Sequence, residues 1–262
     1  INKDRFQDLF AEQLEWKRQV LWDRKQQKVQ GVEELCFGSL VLENRPCLEL
    51  DLGEIQKVFI KALQDAELWP LPWTQSSRAL QSRLSILHRH RPEQWPDRSE
   101  AWLQDHLMDW LGDQLIGVDS FSKLKGVQLE EGLCHGLSWQ QRQELDRLLP
   151  RSWRLPSGRD AAIDYSSEVP VLAAKLQEFF GCSENPAVLE GSLPLQVHLL
   201  SPAGRPLQIT SDLAGFWDRS YEEVRKATRG RYPKHPWPDD PRAALPTAKS
   251  KKQLAKEQSS QR

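Results

Sequence analysis

The sequence has no long hydrophobic run, no paired cysteines and no large net charge. No apolar stretch approaches the roughly 18 residues that a membrane-spanning helix needs, and no signal-like apolar segment opens the chain. The four cysteines, Cys36, Cys47, Cys134 and Cys182, lie far apart without a C-x-x-C pair, so the ligand spacing of a structural zinc site is missing. We therefore expect a cytoplasmic protein with reduced thiols and no membrane insertion.

The charge balance is nearly neutral. The 262 residues carry 36 Lys+Arg against 37 Asp+Glu, which gives a formal net charge of -1. A polyanion such as nucleic acid would therefore need a local site, because the chain as a whole is not cationic. The length allows one large or two modest domains. Since the chain begins at Ile1 rather than Met, we expect a piece of a longer protein.

Several kinds of catalytic motif are also missing. The phosphate-binding pattern G-x-x-x-x-G-K-[ST] is absent, and so is a D-E-A-H tetrapeptide. Catalytic triads are assembled in space, so none can be assigned from the sequence. His88 and His90 flank Arg89 at a polar helix end, which is typical of a solvated terminus rather than a metal site. We predict no catalytic residue, no metal site and no cofactor site in this chain, and an independent enzyme is the least favoured interpretation.

Hydrophobic patterns divide the chain into four regions. The prediction is short strands in residues 1–50, a helical array in 51–150, a mixed β/α domain in 151–241 and a disordered basic tail in 242–262. The strands are short apolar runs between turn residues, whereas the helices show apolar residues three and four positions apart. The tail has six basic residues against one acid and too few apolar residues to offset the entropy of ordering. The fold class is therefore α+β.

End signals define individual helices within this scheme. Asp51 and Ser99 are predicted N-caps, and the apolar residues after Ser99 continue in helical register to Leu115. Pro170 and Gly181 are the expected ends of another helix, which would lie among the strands of the mixed domain. We therefore expect one unbroken helix from Ser99 to Leu115 and one from Pro170 to Gly181.

A basic, aromatic and proline-rich segment near the C-terminus is the most informative stretch. After a helix predicted from Ser220 to about Thr228, the chain reads Arg-Gly-Arg-Tyr-Pro-Lys-His-Pro-Trp-Pro over residues 229–238. Cations and aromatic rings on a backbone stiffened by proline suit contact with a phosphate backbone and unstacked bases. The candidate nucleic-acid-binding residues are Arg225, Arg229, Arg231, Tyr232, Lys234 and Trp237.

A structural role for the same residues is the alternative. Cations at the helix end could complement the helix dipole, while Tyr232 and Trp237 could pin the segment back onto the domain. Asp239 and Asp240 follow at once, and neighbours in an extended segment point apart, which favours a local salt bridge or a turn over a shared acid–base site. The residues alone favour the structural clasp, with nucleic-acid contact as the alternative. Weaker nucleic-acid-binding candidates are Arg205, Lys123 and Lys125.

Three motifs of the C-terminal part occur in a fixed order. They are S-P-A-x-R-P-L-Q-I-T at 201–210, D-L-x-x-F-W at 212–217 and G-R-Y-P-K-H-x-W-P-D-D-P at 230–241. In this order they resemble the C-terminal segment of HrpB-type proteins, the bacterial DEAH-box ATP-dependent helicases. Further similar blocks lie at 22–25, 117–126, 149–165 and 185–195. The resemblance therefore covers most of residues 20–241.

The resemblance implies that the chain is the C-terminal accessory part of an ATP-dependent RNA helicase. It implies upstream RecA-like motor domains that bind ATP and Mg²⁺, and an oligonucleotide-binding-like (OB-like) accessory domain that ends in residues 1–50. The family's catalytic residues have no counterparts here, so none is carried over and the chain alone should be inactive. The implied partners are single-stranded RNA or DNA and the upstream motor domains. The alternative function is a protein-interaction platform, in which the Trp-rich segments 69–73 and 99–115 dock the motor domains or a partner protein.

Overall fold

The computed structural model describes residues 9–47 and 49–260. The chain divides into two compact units, the first reaching Gly136 and the second beginning at Leu137. Predictions for residues 1–8, for residue 48 and for residues 261–262 lie outside the described part. The finer division of the sequence into four regions stays a prediction.

An antiparallel sheet of three strands opens the first unit. Its strands are β1 (Leu14–Asp23), β2 (Lys28–Phe37) and β3 (Leu40–Cys47), paired in chain order. The Asp23 carboxylate accepts hydrogen bonds from the backbone N–H groups of Lys25 and Gln26 at 2.7 and 3.0 Å, which fixes the turn between β1 and β2. The strands predicted in this part of the chain are confirmed, whereas an OB-like domain is not.

Helices make up the rest of the first unit. They are α1 (Leu52–Asp65), α2 (Gln75–His90), α3 (Glu100–Asp105), α4 (Leu107–Leu111) and α5 (Leu129–Leu133), with 3₁₀ turns at Gly112–Leu115 and Phe121–Gly126. The Asp51 carboxylate accepts from the backbone N–H of Glu54 at 3.0 Å, so the predicted cap of α1 is confirmed. Thr74 and Ser77 form a reciprocal capping box at the start of α2. The predicted helical array is therefore present.

The helix predicted to run from Ser99 to Leu115 is broken at His106. This residue has φ -111° and ψ 33°, outside the helical region, and its imidazole stacks on Trp102 with ring centroids 4.7 Å apart. The indole N–H of Trp110 donates to the backbone carbonyl of Leu103 at 2.9 Å, taking up an acceptor near the end of α3. The prediction of one continuous helix is wrong. The Leu103 carbonyl accepts from the Trp110 side chain instead of from the backbone N–H four residues later, as it would in an unbroken helix.

The second unit contains a mixed open sheet. Its elements are α6 (Trp139–Leu148), β4 (Ser152–Arg154), β5 (Asp160–Asp164), β6 (Val171–Lys175), β7 (Ala187–Val188), β8 (Leu193–Pro194), β9 (Gln196–Leu200) and β10 (Pro206–Thr210). The main sheet has the order β10-β9-β6-β5-β4, with β6 and β9 parallel and the other neighbours antiparallel. Strands β7 and β8 form a separate hairpin. A mixture of helices and strands is therefore confirmed for this part of the chain.

The helix predicted between Pro170 and Gly181 is wrong. Residues 171–175 form β6, and only Leu176–Phe179 is helical, as a 3₁₀ turn. Leu172 and Ala174 alternate with more exposed neighbours, and β6 pairs with β9 along its whole length. Apolar spacing alone fits either a helix or a strand in so short a run, and pairing with a distant strand decides the outcome.

Three helices follow the sheet. They are α7 (Leu213–Arg219), α8 (Tyr221–Arg229) and α9 (Lys251–Ser260). The helix predicted from Ser220 is confirmed as α8, although the Ser220 side chain makes no capping hydrogen bond. The predicted disorder of the tail is not confirmed. The backbone N–H of Thr247 donates to the carbonyl of Gln177 at 2.8 Å and so joins the chain end to the sheet unit.

Candidate nucleic-acid interface

The hairpin of β9 and β10 leads the chain into α7. Gly204, with φ +78°, lies in the turn, and the backbone N–H of Ser201 donates to the carbonyl of Arg205 at 2.7 Å. The Asp212 carboxylate then caps α7 by accepting from the backbone N–H of Gly215 at 2.8 Å. A Cβ on Gly215 would stand 2.0 Å from the Asp212 carboxylate and from the Arg219 guanidinium, so a larger residue would displace the side chains that form the cap. The cap therefore fixes where α7 begins.

An aromatic cluster holds α7 and α8 together. Its members are Phe180, Phe216, Trp217 and Tyr221, whose ring centroids lie between 4.9 and 6.4 Å apart. The indole N–H of Trp217 donates to the backbone carbonyl of Cys182 at 2.6 Å. Burial raises the pKa of the Tyr221 phenol, which stays protonated and donates to the carbonyl of Pro238 at 2.9 Å. This cluster anchors one end of the basic aromatic segment.

The basic aromatic segment, residues 229–238, is closed by a clasp between Arg225 and Trp237. The Arg225 Nε donates to the backbone carbonyl of Trp237 at 3.1 Å, and the same guanidinium pairs with the carboxylates of Glu222 and Asp239. The hydrogen bond to Glu222, followed by the charges of both carboxylates, holds the pKa of Arg225 above its usual value against desolvation. The indole N–H of Trp237 donates to the carbonyl of Tyr232 at 3.0 Å. The salt bridge expected of the Asp239–Asp240 pair is therefore present at Asp239.

The clasp separates the six sequence-predicted contact residues into two groups. Arg225 has a side chain only 12% exposed, and Trp237 is buried, so both belong to the packing of the segment. Arg229, Arg231 and Lys234 are exposed, and Tyr232 is half-buried. The structure thus brings Arg225 and Trp237 together and leaves the other four on the surface. Nucleic-acid contact by these residues stays a prediction.

Replacing Trp237 by phenylalanine is expected to loosen the clasp while keeping an aromatic ring in place. The change removes the N–H that bonds the Tyr232 carbonyl, a loss of about 1 kcal/mol. Trypsin cleavage within residues 229–234 should then rise roughly fivefold, because cleavage follows the population of the opened segment. Limited proteolysis with mass spectrometry measures this rate. Tyr232→Phe, which keeps the carbonyl acceptor, is the matched control, and equal cleavage of wild type and both variants would contradict the clasp.

The other residues considered in the sequence have ordinary local surroundings. Lys123 forms an ion pair with Asp119 at 3.0 Å, and Arg205 lies at the exposed tip of the β9–β10 hairpin. His88 Nδ1 lies 2.8 Å from the carbonyl of Trp95, an ordinary structural contact. Across residues 9–47 and 49–260, no three His, Cys, Asp or Glu side chains are grouped as metal ligands would be. Among the helices of that same part, none combines the length and the apolar character needed to cross a membrane.

Sequence reasoning missed the partners that close the segment. Tyr221 and Glu222 contribute to the clasp, and neither belongs to a recognisable motif. The sequence did indicate that Tyr232 and Trp237 could pin the segment, and that the Asp239–Asp240 pair beside a cationic stretch could form a local salt bridge. Every residue has a backbone carbonyl, so the sequence does not show that the carbonyl of Tyr232 is an acceptor in the clasp.

Comparisons with known proteins agree on one family. A family model for the C-terminal part of ATP-dependent helicases (HrpB_C) matches residues 110–241. ATP-dependent RNA helicase HrpB of Escherichia coli is 38% identical over 235 residues, which are 89% of this chain and 29% of that protein. A crystal structure of the Escherichia coli DExH-box NTPase HrpB superimposes with a TM-score of 0.73 at 35% identity, covering 94% of this chain and 31% of that one. A second crystal structure, of the Escherichia coli DEAH/RHA helicase HrpB, superimposes with a TM-score of 0.63 at 34% identity. It covers 86% of this chain and 29% of that one. The chain thus spans less than a third of these relatives.

Proposed function

We propose that this chain, which belongs to the HrpB family of ATP-dependent helicases and corresponds to its C-terminal region, contacts single-stranded nucleic acid beside the motor of an RNA helicase. The observation that carries the proposal is the exposure of Arg229, Arg231 and Lys234 on a segment that contains no acidic residue. Each cation that meets a phosphate releases a condensed counterion, which favours binding. In a chain of net charge -1, such a local concentration of positive charge suits a polyanion.

The clasp favours this function by fixing the segment before a ligand arrives. Arg225 neutralises Glu222 and Asp239, so these carboxylates do not face the ligand as unpaired charges. The half-buried Tyr232 lies between the exposed cations, where its ring offers a surface for a base to stack on. Preorganisation of this kind lowers the entropy lost on binding.

The chemistry of the helicase belongs, in this proposal, to parts of the protein outside these 262 residues. The sequence has no phosphate-binding loop, so we assign ATP and Mg²⁺ to RecA-like motor domains, which also make up the principal protein partner. The proposed role of the chain is binding alone, in the bacterial cytoplasm. Isolated from the motor, it should not hydrolyse ATP.

Removing the three exposed cations tests the proposal. The variant Arg229→Ala, Arg231→Ala, Lys234→Ala should bind a labelled single-stranded RNA more weakly than wild type, to a similar degree for every sequence. The plot of log affinity against log salt should become flatter by about 2, since each phosphate contact of a single strand contributes about 0.7 to the slope. Fluorescence anisotropy over a series of salt concentrations measures both quantities.

A matched triple variant of the first unit controls for the loss of charge. Arg18, Arg24 and Lys57 are exposed cations outside the segment, and their replacement by alanine should change the salt slope much less. Equal effects of the two triple variants would show binding by charge without a defined site. Failure of the wild-type chain to bind RNA at low salt would overturn the proposed function.

An exposed tryptophan favours protein docking as a second candidate function. Trp69 is 85% exposed at the start of the Trp-Pro-Leu-Pro-Trp stretch, an unusual position for so large an apolar side chain. Trp110 is buried, so the segment 99–115 contributes less to such a surface than its sequence suggests. We propose that Trp69 contacts the motor domains or a partner protein. Retention of full binding to the separate motor domains by Trp69→Ser would exclude Trp69 as a contact with the motor and leave only a partner protein.

A further inference from the structure

Two stretches of the second unit without acidic residues lie side by side. Residues 229–238 and 241–256 contain no Asp or Glu, although they are separated in the sequence by Asp239 and Asp240. The backbone N–H of Lys251 donates to the carbonyl of Lys234 at 2.9 Å, so α9 begins against the basic aromatic segment. Positive charge from two parts of the chain therefore meets at one place.

The approach of the chain end is fixed by several backbone contacts. The N–H of Gly181 donates to the carbonyl of Pro241 at 3.0 Å, and Gly181 has φ +76°. Thr247 is buried, and its N–H donates to the carbonyl of Gln177 at 2.8 Å. The amide oxygen of Gln253 accepts from the backbone N–H of Ser250 at 2.8 Å, which organises the first turn of α9. The start of α9 is thus a built element of the second unit.

The side chains at this junction are cationic. Lys234, Lys251 and Lys252 are all exposed. Burial of the His235 imidazole, together with the charge of Lys175 at the end of β6, lowers the pKa of that histidine. The nearest carboxylates of this stretch have other partners, since Asp239 binds Arg225 and Asp240 accepts from the backbone N–H of Arg242 at 2.9 Å. The junction therefore presents three exposed lysines, and the two carboxylates that directly follow the segment are already paired.

We propose that Lys251 and Lys252 of α9 extend the basic aromatic segment into one continuous site for the phosphodiester backbone of a single strand. The strand runs from Arg229 and Arg231 past Lys234 to the first turn of α9. Recognition is by phosphate charge, so it is independent of base sequence. The inference rests on the proposed function and adds the chain end to the same site.

The double variant Lys251→Ala, Lys252→Ala in the full chain tests the extension. With a single-stranded oligouridylate of about 16 nucleotides, the salt slope should become flatter by about 1.4, which is two contacts at about 0.7 each. Lys57→Ala, Lys61→Ala is the control, because these exposed lysines lie one turn apart on α1 in the first unit. The charge-preserving variant Lys251→Arg, Lys252→Arg should restore the wild-type slope.

Lysine acetylation rates, measured by mass spectrometry with and without the oligouridylate, locate the contact. Protection of Lys234, Lys251 and Lys252 together, with Lys57 unprotected, supports the continuous site. Protection of Lys234 alone, with an unchanged slope in the double variant, would overturn the extension and leave the proposed function standing. Absence of binding by the wild-type chain would overturn both.

Discussion

Replacing Arg98 by methionine is expected to destabilise the first unit by about 2–6 kcal/mol. The Arg98 guanidinium is buried and donates to the backbone carbonyls of Leu133 and His135 at 3.0 and 2.8 Å. Methionine has a similar length but no donor, so both carbonyls lose their partner at about 1–3 kcal/mol each. The loss should appear as a lower denaturant midpoint of the first unit, followed by circular dichroism.

Arg98 joins parts of the first unit that are distant in sequence. Its own carbonyl accepts from the Gln81 amide at 2.7 Å and from the Ser85 hydroxyl at 2.8 Å, both on α2, while its side chain reaches the end of α5. The guanidinium also lies 4.7 Å from the ring centroid of Trp102. Burial lowers the pKa of Arg98, and the charges of Cys134 and Asp97 oppose that shift. The residue therefore stabilises three helices at once.

The control for Arg98 is Arg78, whose side chain is 45% exposed and lies 3.9 Å from the ring centroid of Trp73. Arg78 pairs with Glu100 at 3.3 Å at the surface, and Arg78→Met should cost less than about 1 kcal/mol. Arg98→Lys keeps the charge but loses the planar fork, so it should fall between wild type and Arg98→Met. Equal losses for Arg78→Met and Arg98→Met would contradict the role given to the buried guanidinium.

Local signals in the sequence predicted much of the secondary structure. Asp51 and Ser99 cap helices as expected, because a cap depends on residues within one turn. The break at His106 and the strand β6 were not predictable, since they depend on the Trp110 indole and on the pairing with β9. These contacts join residues whose proximity is a property of the fold.

The candidate site shows the same division between local and distant information. Cationic and aromatic residues marked the segment, and the structure leaves Arg229, Arg231 and Lys234 exposed there. Arg225 and Trp237 belong to the same pattern but face inward, because Arg225 pairs with the Asp239 carboxylate and the Trp237 indole donates to the Tyr232 carbonyl within the segment. Composition identifies such a segment, whereas the direction of each side chain depends on folding. Of the two alternatives, the structural clasp is present at Arg225 and Trp237, whereas nucleic-acid contact stays a prediction.

Replacing Glu178 by glutamine is expected to destabilise the second unit by about 3 kcal/mol. The Glu178 carboxylate is 1% exposed and receives two hydrogen bonds from Arg159, at 2.7 and 2.8 Å. The Ser157 hydroxyl and the backbone N–H of Lys175 donate to it as well, both at 3.2 Å. Breaking a buried ion pair costs about 3–5 kcal/mol, and the lower end applies here because Arg159 is half exposed.

The same pair makes the stability of the second unit depend on pH. Burial alone would raise the pKa of Glu178, but the hydrogen bonds and charge of Arg159 outweigh it and bring the pKa below its ordinary value. A lowered pKa in the folded state means that the stabilisation is complete above the unfolded value of about 4.3 and is lost as the pH falls through the folded value. Glu178→Gln should therefore flatten the fall in stability below about pH 4.3.

Denaturant unfolding of the full chain at several pH values, followed by a probe in the second unit, measures both effects. The exposed pair of Arg147 and Glu190, 2.6 Å apart in the same unit, is the control. Glu190→Gln should cost less than about 1 kcal/mol, because exposed pairs gain little from their attraction. The expectation would be contradicted if Glu178→Gln lost no more stability than Glu190→Gln and its stability still fell in acid as in the wild type. The buried pair would then not be what stabilises the second unit at the end of β6.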